Sequence, residues 1–332
     1  MRKAIRHLVI PISILLITAI ACSAAPAASE EAAPTEAVEA TQEPVTIRMA
    51  LLPIVDAMPM YVAEAEGLFA AHNLKVEFIP VASAPERVQL MASGEADGTI
   101  NETLAVMLFN QESTQMQVVR YAFRPYSGVG HFFILASGAS GISEAEGLKN
   151  VDIGVSQGTI IEYVTDRLLE AQGLSAEEIS TIAVPSIADR MALLAAGDLP
   201  AGVLPDPLAS LAVAQGATLV IDDSEYPEYG FSVISFRKEF IDQNTEAVRA
   251  FLLAIEEATE LINADAQSYS YLFSEYNLVP APLLESYEVP LFPEASVPTE
   301  AEWEDAMSWA MGKGMLAGEV SYSDSVNAAL LP

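Results

Sequence analysis

The chain has few of the side chains that enzymes and metal proteins use for their chemistry. Its 332 residues include one cysteine, Cys22, and three histidines, His7, His72 and His131. A single cysteine excludes a disulfide framework. The sequence contains no Ser-His-Asp arrangement, no phosphate-binding loop and no metal-spaced group of histidines and cysteines. We therefore expect a protein that is not an enzyme and that uses no metal and no cofactor.

Basic residues are also scarce. The chain has 15 lysines and arginines against 46 aspartates and glutamates, which gives a formal net charge of −31 at pH 7. A surface this acidic repels nucleic acid and anionic lipid, so we exclude both as partners. The apolar run at the start of the chain, Leu8–Ala21, is shorter than the roughly 20 residues that a membrane span needs.

That apolar run has the features of a secretory leader. Three basic residues precede it, and a charged head before an apolar middle predicts a signal peptide over residues 1–21. Ala19 and Ala21 come directly before Cys22, and small residues before a cysteine resemble the bacterial lipobox, in which the thiol carries diacylglycerol. The resemblance implies a lipoprotein anchored on the extracytoplasmic face of the cell membrane. Ordinary cleavage after Ala21 is the alternative.

The segment after the leader has a biased composition. Residues 22–45 are mainly Ala, Pro, Glu, Ser and Thr, which cannot bury enough apolar surface to offset the entropy of ordering. We therefore predict a disordered tether between the lipid and a globular body. Removing the three basic residues of the leader leaves 12 basic against 46 acidic residues, or −34 for the mature chain.

From residue 46 onward, predicted strands and helices alternate, which is the pattern of parallel sheets with helical crossovers. Ser83, Thr159 and Ser186 each precede an acidic residue by three positions, so each predicts a helix start. Apolar residues at helical spacing predict a long amphipathic helix over Asn244–Asn263. A helix over Trp303–Met311 contains both tryptophans, which we expect to pack in the core. The predicted strands are Ile47–Leu52, Val76–Pro80, Val118–Ala122, His131–Ala136, Val151–Val155, Ile179–Pro185 and Ala201–Leu204.

The segment from Ile47 to Glu102 contains the phrases MPMYVAEAEGLFAAHNL, VEF and SGEAD. They resemble the solute-binding proteins of ATP-binding-cassette importers, in the NMT1-like branch for sulfonates, nitrate, thiamine-pyrimidine precursors and riboflavin. The resemblance implies a two-lobed α/β fold, the periplasmic-binding-protein fold of type II, with the ligand cleft between lobes joined by two hinge strands. A permease and an ATPase would be its partners. The implied parts are lobe 1 at residues 46–133 and 228–332, lobe 2 at residues 137–222, and hinges at Gly128–Gly138 and Asp222–Phe231.

The ligand site is predicted to lie at loops beyond the carboxyl ends of strands, where ligands bind in open α/β sheets. The loops are Pro53–Met60, Val81–Ala84, Thr99–Glu102 and Ser156–Ile160. Free backbone N–H groups at the following helix starts can hold ligand oxygens. Helix capping is the alternative role of Ser83, Thr159 and Asp206. The candidate ligand-binding residues are Asp56, Met58, Ser83, Asn101, Glu102, Phe123, Tyr126, Gln157, Gly158, Thr159, Tyr163, Asp206 and Tyr229.

Aromatic residues near the predicted hinges are candidates for stacking on a flat ligand ring. They form two clusters in the sequence, Tyr121–Tyr126 and Tyr226–Phe231, and core packing is the alternative role of each ring. Near the predicted cleft loops we find only three arginines, Arg87, Arg120 and Arg124, whose alternative role is a surface salt bridge. Because cations are few and aromatics many, the sequence favours a planar, largely uncharged ligand.

Riboflavin is the first ligand hypothesis, by overall resemblance within the family. A thiamine-pyrimidine precursor and a small anion (an alkanesulfonate, taurine or nitrate) are the alternatives, and an anion would need an Arg or Lys in support. A chemoreceptor partner without transport is a further possibility. The competing class is an enzyme, because thiamine-pyrimidine synthases share the fold. Those enzymes use an active-site histidine and a cysteine-rich motif, and this chain has no cysteine beyond Cys22.

Overall fold

The computed structural model describes residues 43–332, so the predicted leader, Cys22 and most of the predicted tether lie outside the described residues. The strands are β1 Val45–Leu51, β2 Leu74–Pro80, β3 Gly98–Asn101, β4 Met116–Phe123, β5 Phe132–Ala136, β6 Asp152–Val155, β7 Ser180–Ala183, β8 Ala201–Pro205, β9 Thr218–Asp222 and β10 Ser232–Arg237. The helices are α1 Met58–Ala65, α2 Leu68–Ala71, α3 Ala84–Ser93, α4 Thr103–Phe109, α5 Ile160–Ala171, α6 Ile187–Ala196, α7 Leu208–Ala214, α8 Lys238–Gln243, α9 Thr245–Ala264, α10 Leu272–Glu275, α11 Glu300–Gly312 and α12 Tyr322–Ser325. No helix between residues 43 and 332 is long and apolar enough to cross a membrane.

The ten strands form two five-stranded sheets with the same design. The first sheet has the order β2-β1-β3-β10-β4 and the second the order β7-β6-β8-β5-β9. In each sheet one strand, β10 or β5, is antiparallel to both of its neighbours, and the rest run in one direction. Each reversed strand is the first strand that the chain forms after it crosses over from the other sheet. The predicted α/β, two-lobed fold is thus confirmed.

We name the parts by these sheets. The first body is residues 43–123 and 232–332, the second body is residues 132–222, and the two crossovers between them are residues 124–131 and 223–231. The long helix α9 packs on α1 and α2 and buries the apolar face that the sequence predicts. Burying a large apolar side chain stabilises a fold by about 1.5–3 kcal/mol, so this face anchors the first body.

Local capping fixes both boundaries of α3 and of α6 as the sequence predicts. The Ser83 hydroxyl accepts a hydrogen bond from Glu86 N at 3.4 Å, and the Ser186 hydroxyl accepts one from Asp189 N at 3.2 Å. Helices α3 and α6 both end at a glycine with positive φ, which a residue without Cβ adopts most easily. The predicted box at Thr159 is different, because the carboxylate of Glu162 accepts from the N–H of Gly158 rather than from that of Thr159.

Both tryptophans of α11 lie in the core, as predicted. The Trp303 side chain is fully buried and its Nε1 donates to Val320 O at 2.9 Å. Trp309 Nε1 donates to Asp166 Oδ2 of α5 at 2.8 Å. Helix α11 therefore packs on α4 of the first body and also bonds to the second body.

Candidate functional site

The carboxyl edge of the second sheet faces the first body. Asp206 directly follows β8 and caps α7 through Ser210 N at 3.1 Å, and its Oδ2 accepts from the Tyr287 hydroxyl at 2.5 Å. Tyr287 belongs to the first body, where its ring packs edge-on against Phe273. Gly158, which follows β6, lies beside Met315 of the first body, whose Cε is 3.7 Å from the position of a Cβ on Gly158. Asp206 therefore bonds both to the start of α7 and to the first body, and its role in ligand binding stays a prediction.

The two crossovers are bonded to each other by a buried polar cluster. Asp223 Oδ1 accepts from His131 N at 2.6 Å and from Phe132 N at 3.1 Å, and His131 Nδ1 lies 2.6 Å from Gly230 O. On its other side, His131 Nε2 is 3.4 Å from Asp56 Oδ1. Asp56, which follows β1, therefore contacts the first crossover. We call Asp56, His131 and Asp223 the crossover cluster.

Burial and charge act in opposite directions on this cluster. Burial lowers the pKa of His131, but the charge and hydrogen bond of Asp56 together with the charge of Asp223 raise that pKa to about 9. Burial raises the pKa of Asp56, yet the His131 charge and the bonds from His131 and Ser232 leave it below its usual value. For Asp223, burial dominates and raises the pKa to about 7. The imidazolium form of His131 therefore balances the buried carboxylate of Asp56.

The predicted site residues of the first body are mostly engaged within it. Met58 is fully buried in the core, and Ser83 is exposed and used as a helix cap. The Asn101 amide is buried, with its oxygen accepting from the Ser235 hydroxyl at 2.6 Å. Glu102 forms an ion pair with Arg87 at 2.9 Å. Asp56 differs from these four residues, because its carboxylate contacts His131 of the first crossover.

The aromatic residues of the first predicted cluster pack rather than present open faces. Tyr121 is buried, packs edge-on against Phe231, and donates to Glu302 Oε2 at 2.7 Å. Phe123 is buried with its ring 5.1 Å from the ring of His131. Tyr126 is half-buried, and its hydroxyl accepts from a backbone N–H at 2.9 Å. The rings of Tyr121 and Phe123 therefore have the alternative role, core packing.

In the second body, the predicted loop before α5 is closed by its own side chains. Gly158 has φ +72° and donates to the Glu162 carboxylate, which is itself paired with Lys313 of the first body at 3.0 Å. Thr159 caps α5, and Gln157 is exposed. The N–H group of Gly158, which the sequence analysis predicts to bind a ligand, therefore already donates to a carboxylate.

The ring of Tyr163 packs between two other aromatic rings. It lies edge-on to Trp309 and to Tyr229, and its hydroxyl donates to Asp305 Oδ2 at 2.8 Å. Tyr229 is half-buried and stacks on Tyr226. The second predicted cluster therefore keeps partly exposed rings beside the second crossover, but they already stack on each other.

The three arginines named from the sequence are all paired with carboxylates. Arg87 pairs with Glu102, Arg120 with Glu256 and Arg124 with Glu302, at 2.9, 2.5 and 2.8 Å. The sequence reasoning missed Arg190, which is fully buried in the first part of α6. Its position in the sequence could have indicated it. Arg190 follows the helix cap Ser186 by four residues, and the strand before Ser186 has its carboxyl end at the predicted cleft edge.

The chain belongs to the NMT1-like family, whose sequence profile matches residues 40–271. No curated protein matches the chain. Among solved structures, the aliphatic sulphonate-binding protein SsuA of Escherichia coli is 18% identical with a TM-score of 0.71, covering 86% of this chain and 92% of that chain. The nitrate-binding protein NrtA of Synechocystis PCC 6803 is 17% identical with a TM-score of 0.67, and covers 87% of each chain. Both likenesses establish the periplasmic-binding-protein fold.

The same fold also serves an enzyme. The desulfurization enzyme DSZB is 15% identical to the chain with a TM-score of 0.65, covering 86% of this chain and 97% of that chain. Between residues 43 and 332, no three His, Cys, Asp or Glu side chains are grouped so that they could hold a metal ion.

Proposed function

We propose that the protein is the extracytoplasmic solute-binding component of an ATP-binding-cassette importer. One observation carries the proposal: in a member of the NMT1-like family, the carboxyl edge of one sheet faces a second body across two crossovers. Open α/β sheets bind ligands at this edge, and a pair of bodies joined by crossovers can close over a small molecule by hinge motion. The ligand is then passed to a membrane permease.

For the ligand, we propose a small anion such as a sulfonate or nitrate in preference to riboflavin. The solved structures of like fold include proteins named for sulphonate and for nitrate. The rings of Tyr121 and Phe123, two of the rings on which riboflavin was expected to stack, are buried against their own neighbours. Riboflavin is the competing ligand hypothesis.

The proposed lobes and anchor complete this picture. We propose hinges at Gly128–Gly138 and Asp222–Phe231, the lobe boundaries given by the family resemblance, and a lipid on Cys22 that holds the protein on the extracytoplasmic face of the membrane. The predicted leader and tether would place the body outside the cell, where an importer collects its solute. A permease and an ATPase are the partners that this role requires.

The test is a ligand panel on the purified chain. Riboflavin, hydroxymethyl-pyrimidine, taurine, methanesulfonate and nitrate are each added, and the melting temperature is recorded. A compound at 100 times its dissociation constant stabilises the folded state by about 2.7 kcal/mol, which gives a clear shift. Mass spectrometry of the freshly purified protein identifies any solute that co-purifies. If no compound shifts the melting temperature and no solute co-purifies, the transport role is wrong.

A further inference from the structure

Arg190 is the exception among the arginines of this acidic protein. Each of the other arginines between residues 43 and 332 has a carboxylate oxygen within 4.0 Å. The Arg190 side chain is fully buried, and no carboxylate among the described residues compensates its charge. Burial lowers its pKa to about 10, so it remains a cation at neutral pH. A buried cation without a partner is costly, and a ligand anion would remove that cost.

The position of Arg190 puts its head group at the carboxyl edge of the second sheet. Leu194, one helical turn later on the same face of α6, packs in the core of the second body. Arg190 Nη1 donates to the hydroxyl of Ser156 at 2.9 Å, and Ser156 directly follows β6. Gly158, two residues after Ser156, lies beside Met315 of the first body, whose Cε is 3.7 Å from the position of a Cβ on Gly158. Arg190 therefore lies where the second sheet meets the first body.

The atoms that Arg190 leaves free have a specific geometry. Nη1 is used by Ser156, whereas Nε and Nη2 are buried without a hydrogen-bond partner among residues 43–332. In a planar guanidinium, the Nε–H bond and one Nη2–H bond point the same way and form a two-pronged donor. That donor matches two oxygens bonded to one central atom, as in a carboxylate, a sulfonate or nitrate. A halide offers no such pair.

We propose that Arg190, fixed by Ser156, is the anion-binding residue of the cleft and selects ligands with at least two terminal oxygens on one atom. This proposal rests on the proposed transport function and adds the residue and the chemical class that it recognises. Ser156 accepts from Arg190 and donates to Pro185 O at 3.1 Å, so it holds the guanidinium in one orientation. The oxyanion would accept from Nε and from Nη2, the two buried nitrogens of Arg190 that have no partner among residues 43–332.

The test uses the full-length chain and three variants, Arg190→Gln, Arg190→Lys and Arg249→Gln. Arg249 is a partly exposed surface arginine and serves as the control. Melting temperature and calorimetric affinity are measured with sodium methanesulfonate, nitrate and acetate, against sodium chloride at equal ionic strength. We expect at least one oxyanion to stabilise the wild type more than chloride does. Its affinity should fall about 30-fold or more in both Arg190 variants and stay unchanged in Arg249→Gln.

The outcomes separate this proposal from the transport role. The lysine variant keeps the charge but loses the two-pronged donor. Wild-type affinity in Arg190→Lys would therefore overturn the geometric selection. Wild-type affinity in Arg190→Gln would overturn the site. If riboflavin stabilises the wild type and no oxyanion does, the anion site is wrong while the transport role stands. If neither class stabilises the protein and no solute co-purifies, both are wrong.

Discussion

The Nε2 atom of His131 lies 3.4 Å from Oδ1 of Asp56, so an imidazolium in a crossover is paired with a carboxylate of the short 3-10 helix Val55–Ala57 that follows β1. Both side chains are buried, and the other ring nitrogen of His131 contacts Gly230 O of the second crossover. One histidine thus links both crossovers to the first body. This contact and the neighbouring ones lead to the following predictions.

We predict that the His131 pair makes stability depend on pH. The folded-state pKa of about 9 exceeds the ordinary value of 6.5, so the stabilisation is complete below about pH 6.5 and is lost as pH rises through 9. The loss should amount to roughly 3 kcal/mol in the free energy of unfolding. Urea titrations of the wild type and of His131→Gln between pH 6 and 10 measure it. A wild type that parallels the variant over this range would contradict the prediction.

We predict that Gly230 cannot accept a side chain. A Cβ at this position would lie 1.6 Å from Asp223 Oδ2, and Asp223 is held by bonds to the first crossover. Gly230→Ala should therefore lower the free energy of unfolding by about 1–3 kcal/mol or more through overpacking. Gly318→Ala is the control, because no heavy atom lies within 4 Å of its Cβ position. Equal melting temperatures of the two variants would show that the crossovers adjust freely.

We predict that the hydrogen bond from Tyr287 to Asp206 favours a closed arrangement of the two bodies. Tyr287→Phe removes a bond to a charged acceptor, worth about 1.5–3 kcal/mol, while Asp206 keeps its bonds to Ser210. Small-angle scattering without ligand should give a larger radius of gyration for the variant. Saturating ligand should reduce the radius of both proteins, since binding selects the closed form. An identical radius in all four samples would exclude hinge closure.

We predict opposite effects of removing two equally buried arginines. Arg190 has no carboxylate partner among residues 43–332, so Arg190→Met should leave the unliganded protein as stable or about 1–4 kcal/mol more stable. Arg120 is also fully buried but pairs with Glu256, so Arg120→Met should cost about 3–5 kcal/mol by leaving that carboxylate unpaired. Chemical denaturation in chloride buffer compares them. Strong destabilisation by both changes would mean that Arg190 has a structural role.

We predict that Cys22→Ala releases the protein from the membrane. The only cysteine lies at the end of the predicted secretory leader, and a thioether-linked lipid there would anchor the protein. Fractionation of cells that express the wild type and the variant measures the shift to the soluble extracytoplasmic fraction. Unchanged membrane retention of the variant would show that another segment anchors the chain.

The fold could be predicted from the sequence because its signals are local. Ser83 and Ser186 start helices where a hydroxyl can accept a nearby N–H, and Gly94 and Gly197 end them. The alternation of strands and helices predicts parallel sheets with helical crossovers, but it does not predict the reversed strands β5 and β10, which make both sheets mixed. The Thr159 box differed because Glu162 is drawn to Gly158 and to Lys313. Lys313 is distant in the sequence, so no local rule includes it.

The candidate site was less predictable because it depends on pairing across the chain. The sequence indicates that Arg124 and Arg190 are both cations, but not that Glu302 neutralises the first and no described carboxylate the second. It likewise cannot tell that Tyr121 donates to Glu302 rather than facing a ligand. Helix capping and strand order can be inferred from residues that are a few positions apart. Charge compensation depends on residues that are far apart in the sequence.

The reversed strand β10 has a consequence for how the chain folds. Asn101 at the end of β3 pairs with Val233, and the whole second body lies between them in the sequence. The first sheet therefore stays incomplete, with β3 and β4 lacking their shared neighbour, until the second body and both crossovers have been synthesised. Contacts so distant along the chain slow folding. A chain that is exported before it folds would thus reach the far side of the membrane with its first sheet still open, which gives the export machinery time to act.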